Sequence, residues 1–205
     1  MGKIKEAELY TRKSINQNPS YAEAYNNLGD ILKESGRYEE AIVATKNAIK
    51  LKPNLALLYN NLGLLYKDVN KTKEAENSIR KAINIRPHYA DALLNLGGLL
   101  INQYKFEEAD KNTKLAIHYQ PNFELAYLNL GKISLETNHL KNAELYTRKA
   151  IKINPNYYDA YFNLGVILRQ MGKFDKALAI SKKLIELRPW SIKGSYCPNY
   201  MMKSN

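Results

Sequence analysis

The chain has 205 residues, of which 45% are hydrophobic and 25% charged, a balance close to globular averages that excludes wholesale disorder and collagen-like or mucin-like composition. Its formal net charge of +11 raises nucleic acid and anionic membrane as partners, so the charge must be located before it is interpreted. No apolar run reaches the roughly 18 residues needed to cross a bilayer, and the start Met1-Gly2-Lys3-Ile4-Lys5-Glu6 is too charged for a secretory signal, which leads us to expect a cytoplasmic protein.

Proline recurs at Pro19, Pro53, Pro87, Pro121, Pro155 and Pro189, always 34 residues apart, which identifies a tandem array. In chain order, residues 1–19 resemble only the second half of a repeat. Five full repeats follow, at 20–53, 54–87, 88–121, 122–155 and 156–189, and a tail at 190–205 breaks the pattern. A separate catalytic module is therefore not expected within these 205 residues. With position 1 placed three residues after each proline, Leu-Gly falls at positions 7 and 8 every time: Leu28-Gly29, Leu62-Gly63, Leu96-Gly97, Leu130-Gly131 and Leu164-Gly165. Position 20 is always alanine and position 28 always isoleucine, so small residues recur where two helices must approach closely.

Each repeat reads as two amphipathic helices. In the first helix of repeat one, Ala24, Tyr25, Leu28, Gly29, Ile31, Leu32 and Ser35 share one arc at helical spacing and are expected to be buried. Ser20, Asn54, His88, Asn122 and Asn156, just after the prolines, are the expected N-caps. Gly36, Asn70, Asn138 and Gly172 suit a left-handed turn between the helices, whereas Tyr104 in repeat three predicts a strained or differently shaped turn. The proline closing each repeat stops the second helix.

An aromatic at position 4 in four repeats, Leu-Gly at 7 and 8, Ala at 20, Ala at 27 in four of five repeats and Pro at 32 together resemble the tetratricopeptide repeat (TPR) family, over residues 20–189. The resemblance implies an all-α right-handed solenoid of antiparallel helix pairs, here five full repeats plus an N-terminal half repeat, whose first helices line a concave groove. Departures are modest. Tyr25, Tyr59, Tyr127 and Tyr161 stand where tryptophan is usual, Leu93 stands there in repeat three, and Leu184 replaces the small residue at position 27.

Position 6 is asparagine in every repeat: Asn27, Asn61, Asn95, Asn129 and Asn163. An amide both donates and accepts, so such a row can bond the backbone of an extended peptide with little regard to its side chains. The row is similar to the asparagine ladder in the TPR arm of protein O-GlcNAc transferases; the alternative is that asparagine merely suits a polar helix surface. Around it, Leu57, Leu64, Leu94, Ile101, Leu125, Leu128, Leu135, Phe162 and Val166 occupy positions expected to face outward, either as a site for apolar side chains or as contacts between neighbouring first helices. Asn27, Asn61, Asn95, Asn129, Asn163, Leu94, Leu128 and Phe162 are therefore the expected peptide-binding residues.

Charge separates along the same division. The first helices with their leading turns sum to −4 and the remainder to +15, placing the surplus cations on the second helices. Nucleic acid or membrane binding would use that outer side, though dispersed lysines more often serve solubility. The clamp with which some TPR proteins grip chaperone tails requires lysine at positions 5 and 2, but this chain has Asn26, Asn60, Leu94, Leu128 and Phe162 at the former and Glu23, Leu57, Asp91, Leu125 and Asp159 at the latter. Chaperone-tail binding is not expected.

Nothing supports turnover. His88, His118 and His139 fall at three different repeat positions, no metalloprotease, phosphate-loop or nucleophile-elbow motif occurs, and Cys197 stands alone, so no catalytic residue, metal, cofactor or small-molecule substrate is expected. The tail, with Trp190, Ile192, Tyr196, Tyr200, Met201 and Met202, is expected to lie over the last helix, stay loose or mediate self-association, which the exposed ends of the array would also allow. The half repeat at the start suggests a piece of a longer protein. The expected function is a non-catalytic scaffold holding a peptide or partner helix in the concave groove. The substrate-recognition arm of an O-GlcNAc-transferase-like enzyme is the alternative, and a basic adaptor for nucleic acid or anionic membrane the third reading.

Overall fold

The computed structural model describes residues 2–187, and every element in that span is an α-helix. α1 (Gly2–Gln17) is the half repeat. Five pairs follow: α2 (Ala22–Glu34) with α3 (Tyr38–Leu51), α4 (Ala56–Asp68) with α5 (Thr72–Ile85), α6 (Ala90–Asn102) with α7 (Phe106–Tyr119), α8 (Glu124–Glu136) with α9 (Leu140–Ile153), and α10 (Tyr158–Gln170) with α11 (Phe174–Leu187). Packing divides the chain into two compact units, Met1–Tyr119 and Gln120–Asn205, so α1–α7 belong to the first and α8–α11 to the second. Within each unit every helix packs on the next in sequence. Pro189 and the tail with Trp190, Tyr196 and Cys197 lie outside the described residues.

The invariant small residues explain how the pairs close. Ala41, Ala75, Ala109 and Ala143 at position 20 are wholly buried, as are Ala48, Ala82, Ala116 and Ala150 at position 27. A methyl group added at Gly97 would lie 2.5 Å from Thr113 Oγ1 and 3.4 Å from Ala109 O, so only glycine lets α6 approach α7 this closely. Leucines on the first helices complete the core. Leu32, Leu58, Leu93, Leu96 and Leu100 in the first unit and Leu164 and Leu168 in the second are buried, each worth about 1.5–3 kcal/mol relative to exposure.

The turns show why glycine and asparagine alternate at one position. Gly36, Asn70, Tyr104, Asn138 and Gly172 all adopt positive φ, at 73°, 59°, 59°, 59° and 71°. In each, the next residue's N–H returns to a carbonyl in the preceding first helix, as Lys105 N does to Leu100 O at 3.0 Å. Tyr104 thus keeps the common turn and bears its strain, its ring 77% exposed and edge-on to Phe106 at 6.0 Å.

Two expectations need correction. The first helices start later than the post-proline residues predict: the N-caps are Tyr21, Leu55, Tyr89, Phe123 and Tyr157, none with a side-chain cap bond. The residue after proline belongs to a turn closed from behind instead. Asn18 Oδ1 accepts from Ser20 N at 3.2 Å and Asn154 Oδ1 from Asn156 N at 3.1 Å, while the backbone N–H of Tyr21 and Tyr157 returns to the carbonyls of Asn18 and Asn154. Ser35 is exposed, because α2 ends before it; its hydroxyl donates to Ile31 O at 2.9 Å.

Candidate functional site

The asparagines at position 6 all sit mid-way along first helices, but their surroundings differ. Asn27 is exposed, Asn61, Asn95 and Asn163 are half-buried, and Asn129 is 7% exposed. In the first unit the row is cross-linked to itself. Asn61 Nδ2 donates to Asn26 Oδ1 at 3.0 Å, and Asn95 Nδ2 donates to Asn60 Oδ1 at 2.9 Å, each bond joining one first helix to the next. Asn60 is 4% exposed, so its carbonyl depends on that donor. Asn26 in turn donates to Asp30 Oδ2 at 3.3 Å. Asp30's carboxyl sits above the ordinary carboxylate range, chiefly because of partial burial, with Lys33 opposing and Glu34 reinforcing the shift.

In the second unit the partner has vanished from the sequence. Position 5 holds Leu128 on α8, 1% exposed, where repeats one and two have Asn26 and Asn60. The Nδ2 of Asn163 is buried without a hydrogen-bond partner. The apolar residues around the row also divide by burial. Leu94 (3% exposed) and Leu128 lie inside the packing, contrary to the outward placing expected of them; Leu128 packs with Ala150 on α9 and Ala160 on α10. Phe162 at the same position on α10 is 54% exposed; Leu57 and Leu125 at position 2 are 43% and 40% exposed. Leu64, Ile101, Leu135 and Val166 are half-buried.

The second helices carry a device that the sequence reading passed over. Glu8, Glu76 and Glu144 each pair with the arginine four residues on, Arg12, Arg80 and Arg148, and with the cation that opens the next second helix, Arg37, Lys105 and Lys173. This triad recurs in every second repeat, where the intervening repeat one has Ile42 at the glutamate's position, 7% exposed. The hydrogen bond from Arg12 above all holds Glu8 below its ordinary range, and that from Lys173 does the same for Glu144; burial pushes Glu76 up, but Arg80 and Gln103 bring it lower still. Many of the outer cations are thus engaged with carboxylates. Between α1 and α3 lies an open groove of about 610 Å³ with Ile15, Tyr25, Leu28 and Leu32 on its apolar side and Arg12 and Glu40 among its polar lining.

The tyrosines preceding the first helices are packing residues. Burial, with the carboxylates of Asp159 and Glu124 adding to it, pushes the Tyr157 phenol up to about 12. It packs with Tyr127 and Ile151 around Leu128, Ala150 and Ala160. His88, His118 and His139 are exposed; the first two stand edge-on to Tyr119. Among the described residues no group of three or more His, Cys, Asp or Glu is placed to hold a metal ion, and no helix is long and apolar enough to cross a membrane.

Comparison with known proteins places this geometry. Family models described as TPR repeat match residues 29–70, and as tetratricopeptide repeat match 10–43 and 146–179, and again 56–89 and 125–157. Among solved structures, YrrB, described as a TPR protein with an unusual peptide-binding site, is 24% identical over 89% of this chain and 94% of its own, with a TM-score of 0.66. MamA is 26% identical over 82% and 98%, with a TM-score of 0.69. PilW, described as a widely conserved type IV pilus biogenesis factor, is 22% identical over 91% and 87%, with a TM-score of 0.82. No curated protein matches.

Proposed function

Since the chain belongs to the tetratricopeptide repeat family, whose all-α solenoids are protein-interaction scaffolds, we propose that it holds an extended peptide or a partner helix on the face formed by its first helices and performs no turnover of its own. The observation that carries this is the exposure of Leu125 and Phe162 beside the asparagine row. Apolar side chains on a polar helix face lose water when a partner covers them, and the amides then fix the partner's backbone. On this reading Asn27, Asn61 and Asn95 of the first unit, or Asn129, Asn163 and Phe162 of the second, border the ligand, while Leu94 and Leu128 support the face of their own unit from beneath.

The outer side is less suited to a polyanion. Lys105, Lys173 and Lys114 are already paired with Glu76, Glu144 and Asp110, so these three are engaged before any polyanion arrives. The test is selection of short peptides from a random displayed library on the full chain, followed by affinity measurement across a salt series. Binding that changes little with salt, and that Phe162→Ser weakens, is the expected result. Affinity that falls steeply with salt and ignores Phe162 would move the site to the second helices.

A further inference from the structure

The asparagine row is uniform in sequence but not in chemistry. In the first unit Asn61 and Asn95 each spend one Nδ2 hydrogen on Asn26 and Asn60, which fixes both amides in one orientation and leaves neither free to turn towards a ligand. In the second unit Asn163 Nδ2 is buried and unpartnered, and Asn129, at the same repeat position on α8, is 7% exposed. A buried amide without a partner costs about 1–3 kcal/mol, a deficit that an incoming peptide group can remove. Neither end of the Asn163 amide is held, so a half-turn about its last side-chain bond exchanges donor and acceptor. It can therefore meet either the C=O or the N–H of an extended chain.

The same face supplies an apolar contact. Leu125 on α8 and Phe162 on α10 are 40% and 54% exposed, and the two helices pack together. The cause of the unheld amide and that of the exposed ring are sequence changes at one repeat position: Leu128 and Phe162 replace the asparagine that closes the row in repeats one and two.

We propose that ligand recognition is concentrated on α8 and α10, where Asn129 and Asn163 bond the backbone of an extended polypeptide segment and Leu125 and Phe162 receive one of its apolar side chains, while the asparagine row of the first unit is a structural tie. The proposal rests on the first-helix reading above and narrows it to one segment and one class of ligand. Position 5 decides the matter: asparagine there ties the row to itself, and an apolar residue there frees it.

The probe is the peptide pool selected from the random displayed library, titrated against the full chain and its variants. Phe162→Ala and the double change Asn129→Ala with Asn163→Ala are expected to weaken binding about tenfold or more, whereas Leu57→Ala, an equally exposed leucine of the first unit, leaves it within about twofold. Both Phe162 and Leu57 are exposed enough to be changed without unfolding the chain, and unchanged circular dichroism verifies this. Loss with Leu57→Ala and not with Phe162→Ala overturns the localisation and leaves the first-helix reading standing. Peptides that bind yet ignore all these changes, or a library that yields none, overturn both. Selected peptides lacking a shared apolar residue overturn the ligand class.

Discussion

The first unit satisfies its buried polar groups and the second does not. Asn60 and Asn95 close on each other across two helices, and Thr45 and Thr113 donate to Ala41 O at 2.9 Å and Ala109 O at 2.7 Å. Among the described residues, the two buried polar atoms lacking a partner, Thr147 Oγ1 and Asn163 Nδ2, both lie in the second unit. The same repeat pattern therefore yields a tied face in one region and an unsatisfied one in the other. Unsatisfied polar groups persist at a cost in stability, and binding sites are where such a cost is commonly retained.

That contrast is open to direct attack, beginning with the largest effect. Gly63→Ala would place a methyl group 2.5 Å from Ile79 Cγ1 and 3.1 Å from Ala75 O, and is expected to cost about 1–3 kcal/mol by urea denaturation. Gly165→Ala, whose nearest contact is Ile180 Cγ2 at 3.6 Å, is expected to gain about 0.5–1 kcal/mol from helix propensity alone. Loss in both would mean that the last repeat is as tightly closed as the second. Next, Asn95→Ala strands the Asn60 carbonyl and is expected to cost about 1–3 kcal/mol, whereas Asn163→Ala removes an orphan and is expected to be neutral or slightly stabilising. A gain in stability accompanied by loss of peptide binding would separate function from folding at that residue. Tyr104→Gly, at φ 59° with the ring exposed, is expected to raise stability by about 1 kcal/mol; the equivalent Gly172→Ala in the second unit is expected to lose a similar amount.

The smallest effect is the one on which the two units should agree. Glu8, Glu76 and Glu144 have lowered folded values, so the native chain binds fewer protons than the unfolded chain as pH falls towards their ordinary 4.5. Their contribution is present above that pH and is lost as pH drops through the lower folded values. Glu76→Gln and Glu144→Gln should each flatten the acid limb of a stability–pH curve, and an unchanged limb would show the triads to be idle.

Much of the architecture is legible in the residues, because proline spacing, Leu-Gly pairs and buried alanines are each dictated by contacts repeated five times. Helix starts are not: Asn54 and Asn156 look like caps, yet the turn after proline places Leu55 and Tyr157 there and draws its closing bond from backbone and from Asn154. The site was half legible. The invariant asparagines stand out, but their meaning depends on position 5 of the preceding repeat, so reading position 6 by itself missed the tie between Asn95 and Asn60. Leu94, Leu128 and Phe162 share a repeat position and differ in burial, a difference set by what packs beside each helix and invisible to periodicity. The glutamate triads were missed because they recur every second repeat, at twice the proline period.

The most direct test is photo-cross-linking of a selected peptide carrying a photoreactive phenylalanine to the full chain, with the attachment points mapped by mass spectrometry. The account predicts attachment along α8 and α10, near Leu125, Asn129, Phe162 and Asn163. Attachment along α9 or α11, or in the groove between α1 and α3, would contradict it.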